Sequence, residues 1–386
     1  MRASKHAFVA LLLTVALVFT GGCYKQRLGE QNAHGLMDDI YPVAPEKHAD
    51  KLRILIWPDT LTDSVLKDFQ KRYGIKLEIT TFSDNDDAYD KLRANPEKWD
   101  VVMLSQYMAH RLRAEKLLQK VPKDNPYIYS YINTAVINAE DDPQMDYFVP
   151  FDYSAMGIIF NINYVAGFPK SWGFLTDSVD NPYIYGRIIL PDDMRYAFAA
   201  AMLYMGIDPA RATHADVEKA KRMLIANVKL LGLRFVPFPN LERELTSNDA
   251  IMAVTWSGTA GYILREKQEC RFLIPEGKCI MSVDGFCIPA TSKCPETAAL
   301  FVEFMLHPYE SWVVANDCMY ASVNIRSMKY VDRFILNGPS CMTPVSEDIM
   351  HMKYLNDTEL DFYEKAWSEV KAAQIDREKI RIIPVN

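Results

Sequence analysis

Short apolar runs alternate with amphipathic stretches along the chain after residue 50, and the first five segments set the fold class. Asp63 caps the first helical stretch and Gly74 ends it. The pattern predicts strand, helix, strand, helix and strand at Leu52–Trp57, Asp63–Tyr73, Lys76–Thr81, from Asp86 or Asp87 to Ala94, and at Asp100–Leu104. This order favours a parallel sheet with right-handed crossovers. The strand ends Trp57 and Ser105 should therefore share one edge, where such sheets bind ligands.

A second set of segments repeats this architecture after Phe148-Val149-Pro150. Strands are predicted at Gly157–Asn161, Arg187–Leu190 and Ala250–Trp256. Helices are predicted through Phe198, Met202 and Met205 to Gly206, over Ala215–Leu231 and around Leu360–Ala373. The last helix has an apolar stripe that we expect to pack on the second sheet. The sequence thus predicts an α/β protein of two lobes, and a cleft between lobes is a usual place for a small ligand.

The N-terminal segment has the features of a secretory signal. Arg2 and Lys5 precede about a dozen apolar residues and the pair Gly21-Gly22. That run is shorter than the ~20 residues that span a membrane as a helix. Thr20-Gly21-Gly22-Cys23 resembles a lipobox, so we expect a signal peptide at 1–22, lipidation of Cys23 and a tether at 23–49. Cleavage at a nearby position, or an uncleaved anchor, remains an alternative.

Composition narrows the classes of partner. The 386-residue chain carries a formal net charge of −7 and has no Lys/Arg cluster that would follow a phosphate backbone, so nucleic acid is not an expected partner. Six cysteines lie in the last third, with Cys270 and Cys279 flanking a turn as the first candidates for a disulfide. The cysteines lack the spacing of a zinc site, so buried thiols or disulfides are expected there, and we expect no bound metal or cofactor.

An ordered series of motifs carries a family resemblance. The series comprises Leu55-Ile56-Trp57, Ser83-Asp84-Asn85, Asp100-Val101-Val102 with Ser105-Gln106-Tyr107, Asp192-Asp193-Met194-Arg195, Trp256-Ser257-Gly258, Val283-Asp284-Gly285 and Tyr320. In this order the chain resembles bacterial periplasmic spermidine/putrescine-binding proteins, the receptors of polyamine importers of the ATP-binding cassette (ABC) type. The resemblance implies a two-lobed periplasmic-binding-protein-like fold (type II) that closes on its ligand.

The resemblance also implies a domain organisation and partners. The first lobe would comprise residues 50–150 and 284–330, and the second 151–283 and 331–386. The protein would be a monomer, held at the membrane in the periplasm by its lipid anchor. It would bind putrescine or spermidine, pass it to ABC permease subunits and catalyse no reaction.

Residues that match the family's ligand contacts are of types suited to an alkyl cation. They are Trp57, Ser105, Tyr107, Asp193, Trp256, Asp284 and Tyr320. Carboxylates bind ammonium groups by charge-assisted hydrogen bonds, and aromatic rings cover methylenes and attract cations. Asp59, beside Pro58, is a candidate third carboxylate or else a turn residue. Asp193 is equally a helix N-cap, and the aromatic residues are equally core residues.

Departures from the family pattern keep other functions open. Thr60, Tyr196, Ser282 and Leu355 stand where the family commonly has an aromatic residue, an acid, a tryptophan and a glutamine. Loss of the acid predicts a preference for a shorter diamine or another organic cation, because a buried cation without a carboxylate is costly. The alternatives are a receptor of the same fold for another solute, such as an amino acid, thiamine or iron, and a sensor or interaction lipoprotein with a decayed pocket. An enzyme is a weaker alternative, since the histidines form no recognisable catalytic motif.

Overall fold

The computed structural model describes residues 41–58, 60–137, 142–165, 170–173 and 183–374, with Pro239 in its backbone only. The predicted signal peptide, Cys23 and the tether up to residue 40 lie outside these residues, and so does Asp59. Among the described helices, none is both long enough and apolar enough to cross a membrane.

Strands of the described residues join into one continuous sheet. They are β1 (Lys51–Ile56), β2 (Lys76–Thr81), β3 (Val101–Ser105), β4 (Leu118–Gln119), β5 (Val149–Asn161), β6 (Ile188–Pro191), β7 (Arg234–Val236), β8 (Met252–Trp256), β9 (Cys270–Leu273), β10 (Cys279–Pro289), β11 (Ala321–Ser322) and β12 (Ile349–Met350). The main path runs β2-β1-β3-β10-β5-β8-β6-β7.

Helices cover both halves of this sheet. In chain order they are α1 (Asp63–Tyr73), α2 (Asn85–Ala94), α3 (Gln106–Ala114), α4 (Pro126–Tyr129), α5 (Met194–Tyr204), α6 (His214–Leu231), α7 (Phe238–Thr246), α8 (Ser257–Glu266), α9 (Pro295–Met305), α10 (Pro308–Cys318), α11 (Arg333–Leu336) and α12 (Asp357–Ala372).

The predicted β-α-β-α-β order at the start of the body is confirmed. β1 pairs with β2 and β3 in parallel, which follows from the crossover helices α1 and α2. Helix α2 begins at Asn85, slightly earlier than predicted, because the Asp84 side chain caps it by accepting a hydrogen bond from the Asp87 backbone N–H at 2.8 Å.

The two largest hydrophobic cores of the described residues define two lobes. β1, β3, α1 and α9 contribute to one core, and we call the elements around it the first lobe. β6, β8, α5, α6 and α12 contribute to the other, which we call the second lobe. The predicted stripe of the last helix lies against that second core, with Tyr363, Ala366 and Val370 buried there. β5 and β10, the longest strands of the described residues, contribute to both cores and connect the lobes.

The predicted disulfide between Cys270 and Cys279 is wrong. All six cysteines of the described residues are free thiols. β9 and β10 do not form a hairpin but pair with successive parts of β5: Cys270 faces Asn161, whereas Met281, just after Cys279, faces Ala155. The two cysteines are therefore about four residues apart along β5, roughly 13 Å, which exceeds the ~7 Å limit between Cα atoms for a disulfide.

The described end of the predicted tether packs against the first lobe. The Tyr41 hydroxyl donates a hydrogen bond to Glu310 at 2.7 Å, and its ring stacks on His307 with centroids 3.7 Å apart. The Ala49 backbone N–H donates to the Thr297 hydroxyl at 3.0 Å. Residues 41–49 thus begin the folded body rather than a free segment.

Candidate ligand-binding site

The first lobe supplies its part of the site from the carboxyl ends of its parallel strands. Trp57 directly follows β1 and packs against Phe82 with ring centroids 4.5 Å apart. Ser105 ends β3, and Asn85 fixes it by two hydrogen bonds of 3.1 Å, one to the Ser105 hydroxyl and one from its backbone N–H. Both predicted residues therefore lie at one edge of the sheet, as their strand positions require.

The second lobe uses the same arrangement. Asp193 follows β6 and caps α5, accepting hydrogen bonds from the backbone N–H groups of Arg195 at 2.9 Å and Tyr196 at 3.2 Å. Trp256 ends β8, and the Tyr196 ring lies perpendicular to it with ring centroids 4.8 Å apart. Asp193 is thus an N-cap, and it also lines the cavity described below.

Asp284 occupies the centre of the site, within β10. Its cross-strand neighbours are Ser105 on β3 and Asp152 on β5. The Asp284 carboxylate is hydrogen-bonded to the hydroxyls of Ser105 and Ser282. One of its oxygens, Oδ1, is buried and has no hydrogen-bond partner among the described residues.

These residues line one cavity of about 670 Å³, which we call the central cavity. Its described lining contains seven carboxylates: Asp63, Asp84, Asp152, Asp193, Glu242, Asp284 and Asp317. It contains six aromatic rings: Trp57, Tyr196, Phe238, Trp256, Tyr262 and Tyr320. Lys, Arg and His are absent from the described lining. The volume is in the range of small-ligand pockets, and the charge favours a cation.

Burial raises the pKa values of the inner carboxylates. Desolvation raises the pKa of Asp193 and that of Asp284 to about 6, although Arg195 and two backbone N–H groups oppose the shift at Asp193. Desolvation, and secondarily the charge of Asp284, raises the pKa of Asp152 well above its ordinary value. A positive charge placed beside these carboxylates would lower their pKa values again.

Tyr320 and Tyr107 differ in their relation to the cavity. Tyr320 lines it and shares a 3.2 Å hydrogen bond with the Thr259 hydroxyl. Its ring lies so close to Gly258 that a Cβ there would be 2.8 Å from ring carbons, which explains the glycine after Trp256. Tyr107 is buried outside the described lining, 5.5 Å from the Arg195 guanidinium. Asp59 lies outside the described residues.

Three of the four departures from the family pattern line the cavity. These are Thr60, Tyr196 and Ser282. Leu355 is buried elsewhere, in the second core. Asp152 and Glu242 also line the cavity but were not among the site residues predicted from the sequence. Asp152 had a recognisable signal, namely a carboxylate within the otherwise apolar run before Gly157, whereas Glu242 sits on an ordinary amphipathic helix.

The described residues contain no group of three or more His, Cys, Asp or Glu side chains arranged to hold a metal ion. The many carboxylates of the central cavity are instead distributed among rings and hydroxyls. That arrangement suits a ligand with separated positive groups and apolar connections between them.

Comparison with known proteins agrees with the fold. The spermidine/putrescine-binding periplasmic protein of Escherichia coli (strain K12) is 26% identical over 338 residues, covering 85% of this chain and 94% of that protein. The substrate-binding protein PotD of a spermidine/putrescine ABC transporter from Streptococcus pneumoniae superimposes with a TM-score of 0.72 at 20% identity, over 85% of this chain and 100% of that one.

The Tp0655 (TpPotD) lipoprotein of Treponema pallidum superimposes with a TM-score of 0.71 at 21% identity, over 83% of this chain and 99% of that one. The sequence profile of a family described as bacterial extracellular solute-binding protein matches residues 64–311, which is more than half of the chain. The chain therefore belongs to the family of bacterial extracellular solute-binding proteins.

Proposed function

We propose that this protein captures a polyamine, such as putrescine or spermidine, and delivers it to the permease of an ABC importer. The observation that carries the proposal is the central cavity, which combines seven carboxylates and six rings with no basic side chain in its described lining. Charge-assisted hydrogen bonds to carboxylates and ring faces against methylenes are the contacts that an alkylammonium chain requires. The E. coli relative, named for spermidine and putrescine, supports the same class of ligand.

The choice within the polyamine class depends on the number of acids. Tyr196 in place of an acid predicts a shorter diamine. However, Asp152 and Glu242 bring two carboxylates that this prediction did not include. The cavity therefore has enough negative charge for a ligand with three ammonium groups, and the proposal covers both putrescine and spermidine.

Isothermal titration calorimetry of the purified mature protein with putrescine, spermidine and glutamate tests the proposal. We expect saturable binding of one or both polyamines in a 1:1 ratio and no binding of glutamate, because the cavity would repel a carboxylate. Binding of glutamate in preference to both amines would overturn the proposal. Much tighter binding of spermidine than of putrescine would reject only the preference for a shorter diamine.

The proposal includes attachment to the membrane through lipidated Cys23. The lipobox-like segment before Cys23 supports it, and the structurally similar TpPotD is itself a lipoprotein. Changing Cys23 to Ser should move the protein from the membrane fraction to the periplasmic fraction. Unchanged membrane association of Cys23→Ser would reject this part alone.

Closure of the lobes completes the proposed mechanism. The lobe boundaries 50–150 with 284–330, and 151–283 with 331–386, and the monomeric state remain part of the proposal. Contacts from both lobes to one ligand would favour the closed state, since only a difference in affinity can shift that equilibrium. Small-angle X-ray scattering should show a monomer whose radius of gyration decreases when putrescine is added, and an unchanged radius would count against closure.

A further inference from the structure

Asp152 is a buried carboxylate that the proposed function does not yet explain. It lies in β5, every residue of which is buried, and only 6% of its surface is exposed. The exposed part belongs to the lining of the central cavity. Within the described residues its side chain has neither a hydrogen bond nor an ion pair, and such a group is costly to bury.

Its nearest charged neighbour makes the burial more costly. Asp152 on β5 stands directly across from Asp284 on β10, and like charges at opposed positions destabilise a sheet. Asp284 Oδ1 is itself buried without a hydrogen-bond partner among the described residues. Within the described residues, the two carboxylates therefore have no positively charged partner.

Other neighbours do not supply that positive charge. Within the described residues, the groups that hydrogen-bond to Asp284 are the uncharged hydroxyls of Ser105 and Ser282. Two titratable side chains of the described residues interact electrostatically with this pair: Tyr320, which precedes β11, and Tyr196 on α5. Both are neutral phenols whose pKa values are raised. A metal ion would need further ligands, and the described residues contain no group of three that could hold one.

We propose that Asp152 and Asp284 together form one subsite for a primary ammonium group of the ligand, and that Asp152 determines much of the affinity for it. A primary ammonium has three N–H donors and one positive charge, so it can bridge the two carboxylates. This inference rests on the proposed function, because it assigns one amine of the polyamine to a place in the central cavity. It gives the protein a carboxylate pair that its motif matches did not contain.

The pair predicts that ligand binding releases a proton. In the free protein, desolvation and the repulsion between the carboxylates keep a proton on the pair near neutral pH. An arriving ammonium stabilises both ionised carboxylates and displaces that proton to solvent. Other acids of the cavity can release protons as well. The number of protons that this pair releases is therefore measured as the difference between the wild type and the Asp152 variants.

Calorimetry with putrescine at pH 6.5, in two buffers of different ionisation enthalpy, measures both affinity and proton release. The variants are Asp152→Asn, which keeps the shape but removes the charge, and Asp152→Ser, which is smaller. Asp361→Asn is the matched control, an exposed acid on α12 outside the cavity lining. We expect both Asp152 variants to bind putrescine about tenfold or more weakly and to release fewer protons than the wild type.

A second readout separates binding from folding. Without ligand, Asp152→Asn should melt at a higher temperature than the wild type, because the repulsion with Asp284 is gone. A role confined to the fold would instead lower the melting temperature and leave proton release unchanged. A titration with calcium chloride tests the pair as a metal site instead. If calcium binds the wild type but not Asp152→Asn, while Asp152→Asn binds putrescine as the wild type does, the ammonium subsite is overturned.

The outcomes distinguish this inference from the proposed function. If the wild type binds putrescine and both Asp152 variants retain its affinity and proton count, the subsite is rejected while the polyamine function stands. If the wild type binds no polyamine, both are rejected. Reduced affinity and reduced proton release in both variants, with the control unchanged, support the subsite.

Discussion

Asp193 shows how one side chain serves both local structure and the site. Its carboxylate caps α5 by accepting hydrogen bonds from two backbone N–H groups, and it also lines the central cavity. The sequence allowed either interpretation, and the geometry shows that capping does not remove the residue from the cavity. The two roles can be separated because Asn is about as good an N-cap as Asp but carries no charge.

Changing Asp193 to Asn should weaken putrescine binding by about tenfold or more, through loss of a charge-assisted hydrogen bond. The free energy of unfolding should stay nearly unchanged, since Asn keeps the cap. Changing Asp193 to Ala should weaken binding equally and lower the free energy of unfolding by about 1 kcal/mol. Calorimetry and urea unfolding measure the two effects, and wild-type affinity in both variants would remove Asp193 from the ligand contacts.

At the scale of elements, the helices that follow the strand ends connect the lobes across the cavity. Arg195 on α5 of the second lobe forms an ion pair with Asp86 on α2 of the first lobe through both guanidinium nitrogens. The Arg195 side chain is only 5% exposed. Arg111 on α3 makes a second link, to Asp357 on α12 at 2.6 Å. These pairs hold the lobes together at positions outside the cavity lining.

Changing Asp86 to Asn should leave the Arg195 guanidinium buried without its charge partner, and the link between the lobes should weaken. If the lobes close on the ligand as proposed and this pair forms on closure, putrescine should bind several-fold more weakly and the ligand-bound protein should be less compact. Asp90→Asn, an exposed acid on the same helix, is the control. Calorimetry and small-angle scattering check both effects, and equal behaviour of the two variants would show that the pair does not contribute to closure.

The central cavity brings together carboxylates from both lobes. In the folded protein, burial raises the pKa values of Asp193 and Asp284 to about 6, whereas an Asp in the unfolded chain titrates near 4. The folded state therefore binds more protons between these values. The contribution of these two groups to stability is present below about pH 4 and is lost as the pH rises through about 6.

A polyamine should reverse this dependence, because its ammonium groups stay charged up to about pH 10 and stabilise ionised carboxylates. The rise in melting temperature caused by saturating putrescine should therefore grow between pH 5 and pH 7. Thermal unfolding with and without putrescine across this range is the measurement. In the Asp193→Asn, Asp284→Asn double variant the rise should be smaller and should depend less on pH, since Asp152 remains. If the rise in melting temperature of the wild type becomes smaller from pH 5 to pH 7, the assignment of these carboxylates to the ligand site is contradicted.

Local sequence patterns were sufficient to predict the helices and strands and the protein family. The strand and helix order from Leu52 to Leu104 was predicted because side-chain periodicity and capping residues act over a few neighbours. The predicted family was confirmed by the match to bacterial extracellular solute-binding proteins. The motifs that suggested it stand at strand ends that the fold brings together. The individual ligand contacts, from Trp57 to Tyr320, remain predictions for binding experiments to decide.

Long-range contacts decided which cysteines and which carboxylates come together. Cys270 and Cys279 are close in sequence but far apart in the fold. Their strands, β9 and β10, pair with different parts of β5. Asp152 appeared to be one acid in an apolar run, and only the pairing of β5 with β10 sets it against Asp284. The sequence by itself determined the elements and the chemistry available at their ends. The tertiary structure decided which charges meet, because strand register and burial depend on residues more than a hundred positions apart.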